Sequence, residues 1–198
     1  MEVQSRSHVL PSGFDVKLGL LDVDVVRPSH CVECGQAAHV GGRKWLHGNG
    51  VVERQLRGPE TCDGPPMIVV IEVREYECQE CGAVMRVVPR GVVERKHFSG
   101  PAIALALAVV GLLGLTAADA RRRVNEAVAG PGARGWSTVG RWASDVASGR
   151  LFAKLDLRDL PKATVDIARR AAQALCGRAP PWSRGSALDH QAFAGAAM

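Results

Sequence analysis

The chain has 198 residues, of which 46% are hydrophobic, 23% charged and 5% aromatic, with 22 glycines and 11 prolines. This composition excludes a disordered tail and a membrane protein, and predicts small packed units joined by loops in place of one large core. The formal charge of +5 is unevenly spread: residues 1–85 carry 8 Lys/Arg against 12 Asp/Glu, residues 86–150 carry 10 against 4, and residues 151–198 carry 7 against 4. A polyanionic partner would therefore meet the middle and the C-terminal part of the chain.

Residues 1–28 read as an N-terminal extension without a basic-then-apolar leader, so export is not expected and the six cysteines are assigned to a reducing compartment. Within the extension, "FDVKLGLLDVDVV" (14–26) has the composition of a strand. Residues 29–92 read as a small antiparallel unit broken by "GG" at 41–42 and "GPETCDGPP" at 58–66. Its strands are "GVVERQL" (50–56), "MIVVIEVREYEC" (67–78) with Val69, Ile71, Val73 and Tyr76 inward, and "AVMRVVP" (83–89).

From Ser99 the apolar period changes to that of helices. "SGPAIALALAVVGLLG" opens with Ser and Pro, a helix start, and closes on glycines. "LTAADARRRVNEAVAGPG" restarts at Thr116, whose spacing to Asp119 is that of a capping box, and "GPG" (130–132) is expected to stop it. A third helix begins in "RGWSTVGRWASDVASGRLF", with Ser137 as N-cap. "KATVDIARRAAQALCG" (162–177) is a fourth, and the small-residue terminus is expected to fray. The uncharged run 98–118 is long enough to raise a membrane span, but Pro101, Gly111 and Gly114 interrupt it, and a buried first helix is the expectation.

The chemistry sits in two repeats of one short pattern, "CVECG" (31–35) and "CQECG" (78–82). Two C-x-x-C turns can each supply two thiolates to a tetrahedral zinc ion, and the glycine after each second cysteine permits the positive φ of a tight knuckle. Cys31, Cys34, Cys78 and Cys81 are the proposed ligands of one structural Zn2+. Four cysteines close the coordination sphere, so no catalytic water is expected, and binding would contribute on the order of 10 kcal/mol to a segment with a small core. Two independent redox pairs are the rival reading, although neither pair opens a helix. Cys62 and Cys176 read as bystanders, while His30, His39 and His47 lie close enough in sequence to replace a cysteine ligand.

In the helical part, Arg121, Arg122 and Arg123 offer sequence-independent phosphate contacts. "WSTVGRW" (136–142) reads as a recognition helix that exposes Ser137, Thr138 and Arg141 and turns Val139 and Trp142 inward. A solvated helix face is the plainer account of the arginines, and core packing that of Trp136 and Trp142. The connection "VAGPGARG" is longer than the turn of a tight helix-turn-helix.

Taken in order, the paired knuckles, "LHGNG" as a turn at 46–50, "VVPRGVVERKHFSGPAIALAL" and "WSTVGRW" resemble the N-terminal zinc-ribbon and helix-turn-helix region of bacterial insertion-sequence transposases. They also resemble small stand-alone mobile-element-associated proteins of the same layout. The resemblance spans about residues 29–152. It implies an α+β chain with a zinc ribbon at 29–92, a helix-turn-helix at 97–153 and a helical tail at 154–198. It further implies a non-enzymatic, cytoplasmic, nucleoid-associated protein that binds double-stranded DNA, with a recombinase or transposase and a second copy of itself as further partners. The residues after Phe152 are too few for a carboxylate-based catalytic domain, and Asp156, Asp159 and Asp166 read as solvated helix-face residues. A zinc-ribbon adaptor that dimerises through its helices, and a transcriptional regulator, are the alternatives.

Overall fold

The computed structural model describes residues 7–11, 22–89, 91–125, 136–155, 157, 159 and 161–197, with the side chains of 7–11 left aside. The chain is α+β, with strands β1 (Ser7–Pro11), β2 (His39–Val40), β3 (Arg43–Lys44), β4 (Leu46–Pro59), β5 (Pro66–Cys78) and β6 (Val84–Val88). Five helices follow, α1 (Gly100–Gly111), α2 (Ala117–Val124), α3 (Thr138–Ala147), α4 (Thr164–Gly177) and α5 (Leu188–Ala196). Two compact units divide the chain: Met1–Gln55 with Val70–Glu94, and Leu56–Val69 with Arg95–Met198. The division is not the succession of segments read from the sequence, because the chain leaves the first unit within β4 and re-enters it within β5.

In the β unit the strand order is β1-β6-β5-β4, with β2 and β3 as a separate short antiparallel pair. β5 and β6 are antiparallel, with Tyr76 opposite Met85 and Glu75 opposite Arg86. The first pair is buried, and the second is joined by a 2.6 Å ion pair, so both faces of the ladder favour one register. Ile71 and Val73 are buried as expected, Val69 only half so, and burial changes parity before Tyr76 and Cys78. The core comprises Cys31, Ala38, Leu46, Tyr76, Cys78, Ala83, Met85 and Val87, with Val23 and Val26 packed at its edge. Tyr76 keeps its hydroxyl satisfied by donating to the Val23 carbonyl at 2.5 Å. Arg27 lies over the Tyr76 ring and donates to the Leu46 carbonyl and to Asp24.

Three local expectations change. Residues 14–21 of the anticipated N-terminal strand lie outside the described residues, and its end, Asp22–Val26, is a turn closed by Val25 N–H to the Asp22 carbonyl at 3.1 Å. The extension instead contributes β1, which pairs in parallel with β6 from Ser7↔Val84 to Pro11↔Val88. "LHGNG" is extended and not a turn: it opens β4, where Gly48 leaves room for Val23 and a Cβ would come within 2.8 Å of Val23 Cγ2.

The helical unit is built around α1, whose residues from Ala102 to Gly111 are all buried. Ser99 caps it, accepting from Ala102 N–H at 3.1 Å, with Pro101 in the first turn. At 12 residues α1 is about 18 Å long, and among the described residues no helix is long and apolar enough to cross a membrane. Thr116 and Asp119 form the expected capping box of α2 (2.8 and 3.2 Å). Helix α2 ends at Val124, whereas "GPG" lies outside the described residues. Ser137 stands at the N-cap of α3 but makes no side-chain cap bond, because its backbone is already helical (φ −73°, ψ 0°).

The C-terminal segment is not a frayed tail. Helices α4 and α5 pack on α1 and on each other, sharing a core of Ala104, Ala108, Ala172, Leu175 and Ala192. The small residues make this possible: a Cβ on Gly195 would stand 2.0 Å from the Leu175 carbonyl oxygen, and one on Gly111 would stand 2.3 Å from Arg169 N. Helix α3 is anchored through Asp145, which accepts from Lys96 and from Arg150 (3.0 and 2.8 Å).

Two predictions follow from this packing. Gly195→Ala is expected to destabilise the protein by about 1–3 kcal/mol through overpacking, whereas Gly140→Ala, in open space on α3, is expected to be neutral or stabilising. Thermal unfolding followed by circular dichroism compares them, and equal melting temperatures would show that α5 is not seated as described. The side-chain bond from Lys96, with that from Arg150, outweighs burial and holds the Asp145 carboxyl below its usual pKa. Its stabilisation is therefore present above the unfolded carboxylate pKa of about 3.9 and is lost as pH falls through the lower folded value. Asp145→Asn should cost about 1–3 kcal/mol at pH 7, and denaturant titrations should find that cost shrinking below about pH 4.

Candidate metal centre and basic helices

The two C-x-x-C turns are built alike. In the first, Cys31 N–H donates to the Gln36 carbonyl (2.8 Å) and Gly35 N–H to the Cys31 carbonyl (2.9 Å). In the second, Cys78 N–H donates to the Ala83 carbonyl (2.9 Å) and Gly82 N–H to the Cys78 carbonyl (2.8 Å). Gly35 and Gly82 have φ of 75° and 71° in open space, so the backbone turn, not a shortage of room, calls for glycine. Trp45 ties the two knuckles together: its N–H donates to the Ala38 carbonyl (2.8 Å), and its carbonyl accepts from Gln79 N–H (2.9 Å).

The result is one cluster in which all four sulfurs lie within 4.8 Å of one another. Cys31 Sγ is 3.7 Å from Cys81 Sγ, and Cys34 Sγ is 3.8 Å from Cys78 Sγ. A tetrahedral ion with metal–sulfur bonds of about 2.3 Å would separate its ligands by about 3.8 Å. A disulfide needs about 2.05 Å, and all six cysteines are free. The donor set and its spacing thus fit a metal ion. Cys31 and Cys78 are buried, while Cys34 and Cys81 face outward.

The thiols share their protons unequally. Burial opposes ionisation of Cys31, but the N–H groups of Cys34 and Glu33 and the neighbouring thiols outweigh it and lower its pKa. Cys81 is pushed up to about 12, chiefly by desolvation and by the adjoining sulfurs. Four thiols this close do not ionise together unless a cation compensates them.

The four-cysteine group includes no histidine. His47 Nε2 is 3.0 Å from the Lys44 carbonyl oxygen, His30 Nδ1 is 2.8 Å from Ser29 Oγ, and His39 lies exposed on β2. Cys176 donates to the Leu188 carbonyl at 3.2 Å. Cys62 is buried, and desolvation, with Asp189 adding to it, pushes its thiol up to about 12. Sequence reasoning placed it in a Gly/Pro loop and missed its neighbours, Asp63 and His190.

The basic residues do not act as a block. Successive helical residues are 100° apart, so "RRR" spans about 200° of α2. Arg122 points outward and pairs with Asp119, and Arg121 is half-buried. Arg123 turns inward to Asp189, 2.8 Å away, whose side chain is only 8% exposed. On α3 the expected polarity holds: Val139, Trp142, Ala143 and Val146 are buried, whereas Ser137 and Arg141 are exposed and Thr138 half-buried. Arg141 donates to Thr138 Oγ1 at 3.0 Å. Trp136 and Trp142 pack edge-on with Phe98, with centroids 5.1–6.4 Å apart; Trp142 is buried, and Trp136 and Phe98 are half-buried. Helices α2 and α3 each pack on α1, and residues 126–135 of the connection between them, including "VAGPGARG", lie outside the described residues. Of the three acidic residues near the fourth helix, Asp159 is exposed and Asp166 pairs with Arg169 at 2.9 Å, while Asp156 is outside the described residues.

No family model, curated protein or solved structure matches the chain.

Titration with Co2+ is expected to produce the intense sulfur-to-metal and tetrahedral d–d absorption of a four-thiolate site. Cys78→Ser should remove one metal equivalent and that signal. Chelation of the wild-type protein should expose the β unit to proteolysis while the helical circular dichroism persists.

Proposed function

We propose that the chain is a non-enzymatic, zinc-stabilised DNA-binding protein. In this reading Cys31, Cys34, Cys78 and Cys81 hold one structural Zn2+ in a zinc ribbon, and α1–α3 act in the manner of a helix-turn-helix. One observation carries the reading: α3 buries an apolar face and turns outward a face of small and polar residues, Ser137, Arg141, Ser144, Ala147 and Ser148. Small side chains allow a helix backbone to approach a groove closely, and Arg141 supplies the fork that matches guanine.

Charge supports the same assignment. The helical unit carries 16 Lys/Arg against 9 Asp/Glu, and the β unit 9 against 11. The excess of positive charge therefore resides in the helical unit, where α2 carries three arginines against one aspartate, and a zinc tetrathiolate would make the β unit more negative still. Arg122 and Arg121 are the phosphate contacts in this reading, while Arg123 is committed to Asp189. The transposase-like layout makes recognition of element ends or an operator the expected task, with a separate recombinase or transposase, or a second copy of the chain, as partner at the nucleoid. A protein-docking role for the β unit is the alternative, favoured by Val51, Val52 and Val70, which are 36–59% exposed.

Zinc-loaded protein should retard duplex DNA at low salt, with affinity falling steeply as salt rises. Arg122→Ala should weaken binding alike for all sequences, and Arg141→Ala should lose about 1–3 kcal/mol of discrimination at one position of a selected site. Absence of any retardation at low salt would refute the proposal, and retention of selectivity by Arg141→Ala would remove α3 from recognition.

A further inference from the structure

We propose that Cys62, Asp63 and His190 form a second metal-binding site, taking a zinc-class dication through Sγ, a carboxylate oxygen and Nε2 and leaving a fourth position for an exchangeable ligand. The three residues come from two distant parts of the helical unit. Cys62 and Asp63 lie in the turn between β4 and β5, closed by Gly64 N–H donating to the Thr61 carbonyl at 2.9 Å. His190 lies in the first turn of α5. Their ligand atoms fall within 4.8 Å of one another, the same bound that the four cysteines satisfy.

His190 Nε2 and Asp63 Oδ1 are separated by 3.2 Å. Two ligands of a tetrahedral ion with bonds of about 2.0–2.1 Å stand about 3.3–3.4 Å apart, so the nitrogen and the oxygen already occupy adjacent vertices. A thiolate, an imidazole and a carboxylate together suit Zn2+ or Co2+, whereas Ca2+ and Mg2+ call for oxygen alone. Access differs across the site: Cys62 is buried, while the Asp63 side chain is 73% exposed. An ion would thus be anchored from inside by sulfur and would turn its open vertex to solvent, unlike the closed four-cysteine centre.

The charges balance. When the ion binds, the Cys62 thiol releases its proton to solvent, and one thiolate with one carboxylate neutralises the dication. The nearest other charges, Arg123 and Asp189, neutralise each other across 2.8 Å. Arg123 also lies 3.9 Å from Cys62 Sγ and 3.7 Å from Asp63 Oδ1. From there it steadies both groups before an ion arrives, and it remains paired with Asp189 afterwards. Asp189 in turn accepts His190 N–H at 3.1 Å and so fixes the backbone from which the imidazole projects.

The test uses the full chain, stripped of metal and reloaded with Zn2+ or Co2+, with bound metal measured after removal of excess. Two equivalents are expected for the wild type and one each for Cys62→Ser and His190→Gln, with the four-thiolate Co2+ spectrum unchanged in both variants. The second Co2+ equivalent in the wild type should add a sulfur-to-metal band about one quarter as strong as the first, a readout that does not depend on how the variants fold. A wild type that binds a single equivalent, lost in Cys78→Ser, overturns the proposal. So does retention of two equivalents in either Cys62→Ser or His190→Gln.

Discussion

The β unit depends on the convergence of four sulfurs. Its core is small, and two of its eight fully buried members, Cys31 and Cys78, are themselves members of the sulfur cluster. Remove the reason for these sulfurs to meet, and Leu46, Tyr76, Met85 and Val87 are too few to order two loops and a sheet. The backbone geometry points the same way. Each knuckle is closed by the same pair of hydrogen bonds, and each places N–H groups toward sulfur, an arrangement that is costly around neutral thiols and favourable around thiolates. A metal ion held by these sulfurs would contribute folding free energy that so small a core does not supply.

The helical unit solves the same problem by another route. Among the described residues its aromatic cluster is Phe98, Trp136 and Trp142; elsewhere α1, α4 and α5 approach until backbone meets backbone at Gly111 and Gly195. Close approach of this kind gains dispersion contacts from main-chain atoms and leaves no slack, so one added methyl group is felt. Alanine and glycine are therefore the packing residues, and a helix can be buried on every side while remaining only 12 residues long.

That choice of residues explains what could and could not be read in the sequence. The knuckles, β5 with β6, the cap of α1 and the box at Thr116 and Asp119 were legible because spacing and local hydrogen bonding determine them. The inward face of α3 was legible from the three-residue step between Val139 and Trp142. Strand β1 was not, since its partner lies in β6 and no local alternation marks it. "LHGNG" misled because glycines that signal a turn can equally thin a strand where another segment crosses it, as Val23 does at Gly48. Helix α5 misled for a related reason: a run of alanines looks like a solvent-frayed end unless its partner backbone is known.

Arg123 shows how far such reasoning reaches on the electrostatic side. Three consecutive arginines invite treatment as one patch, yet helical geometry sends the third to the opposite flank from the first. There it meets Asp189, nearly buried, and a charge removed from water in this way is stable only when paired. The pair then places a guanidinium beside Cys62 and Asp63 and holds the start of α5, which carries His190. A residue that sequence assigns to a surface role thus becomes the strut of an interior one. Basic residues on this chain are accordingly divided by helix phase and by their carboxylate partners: those free to turn outward set the field around the protein, and those that turn inward hold its loops in place.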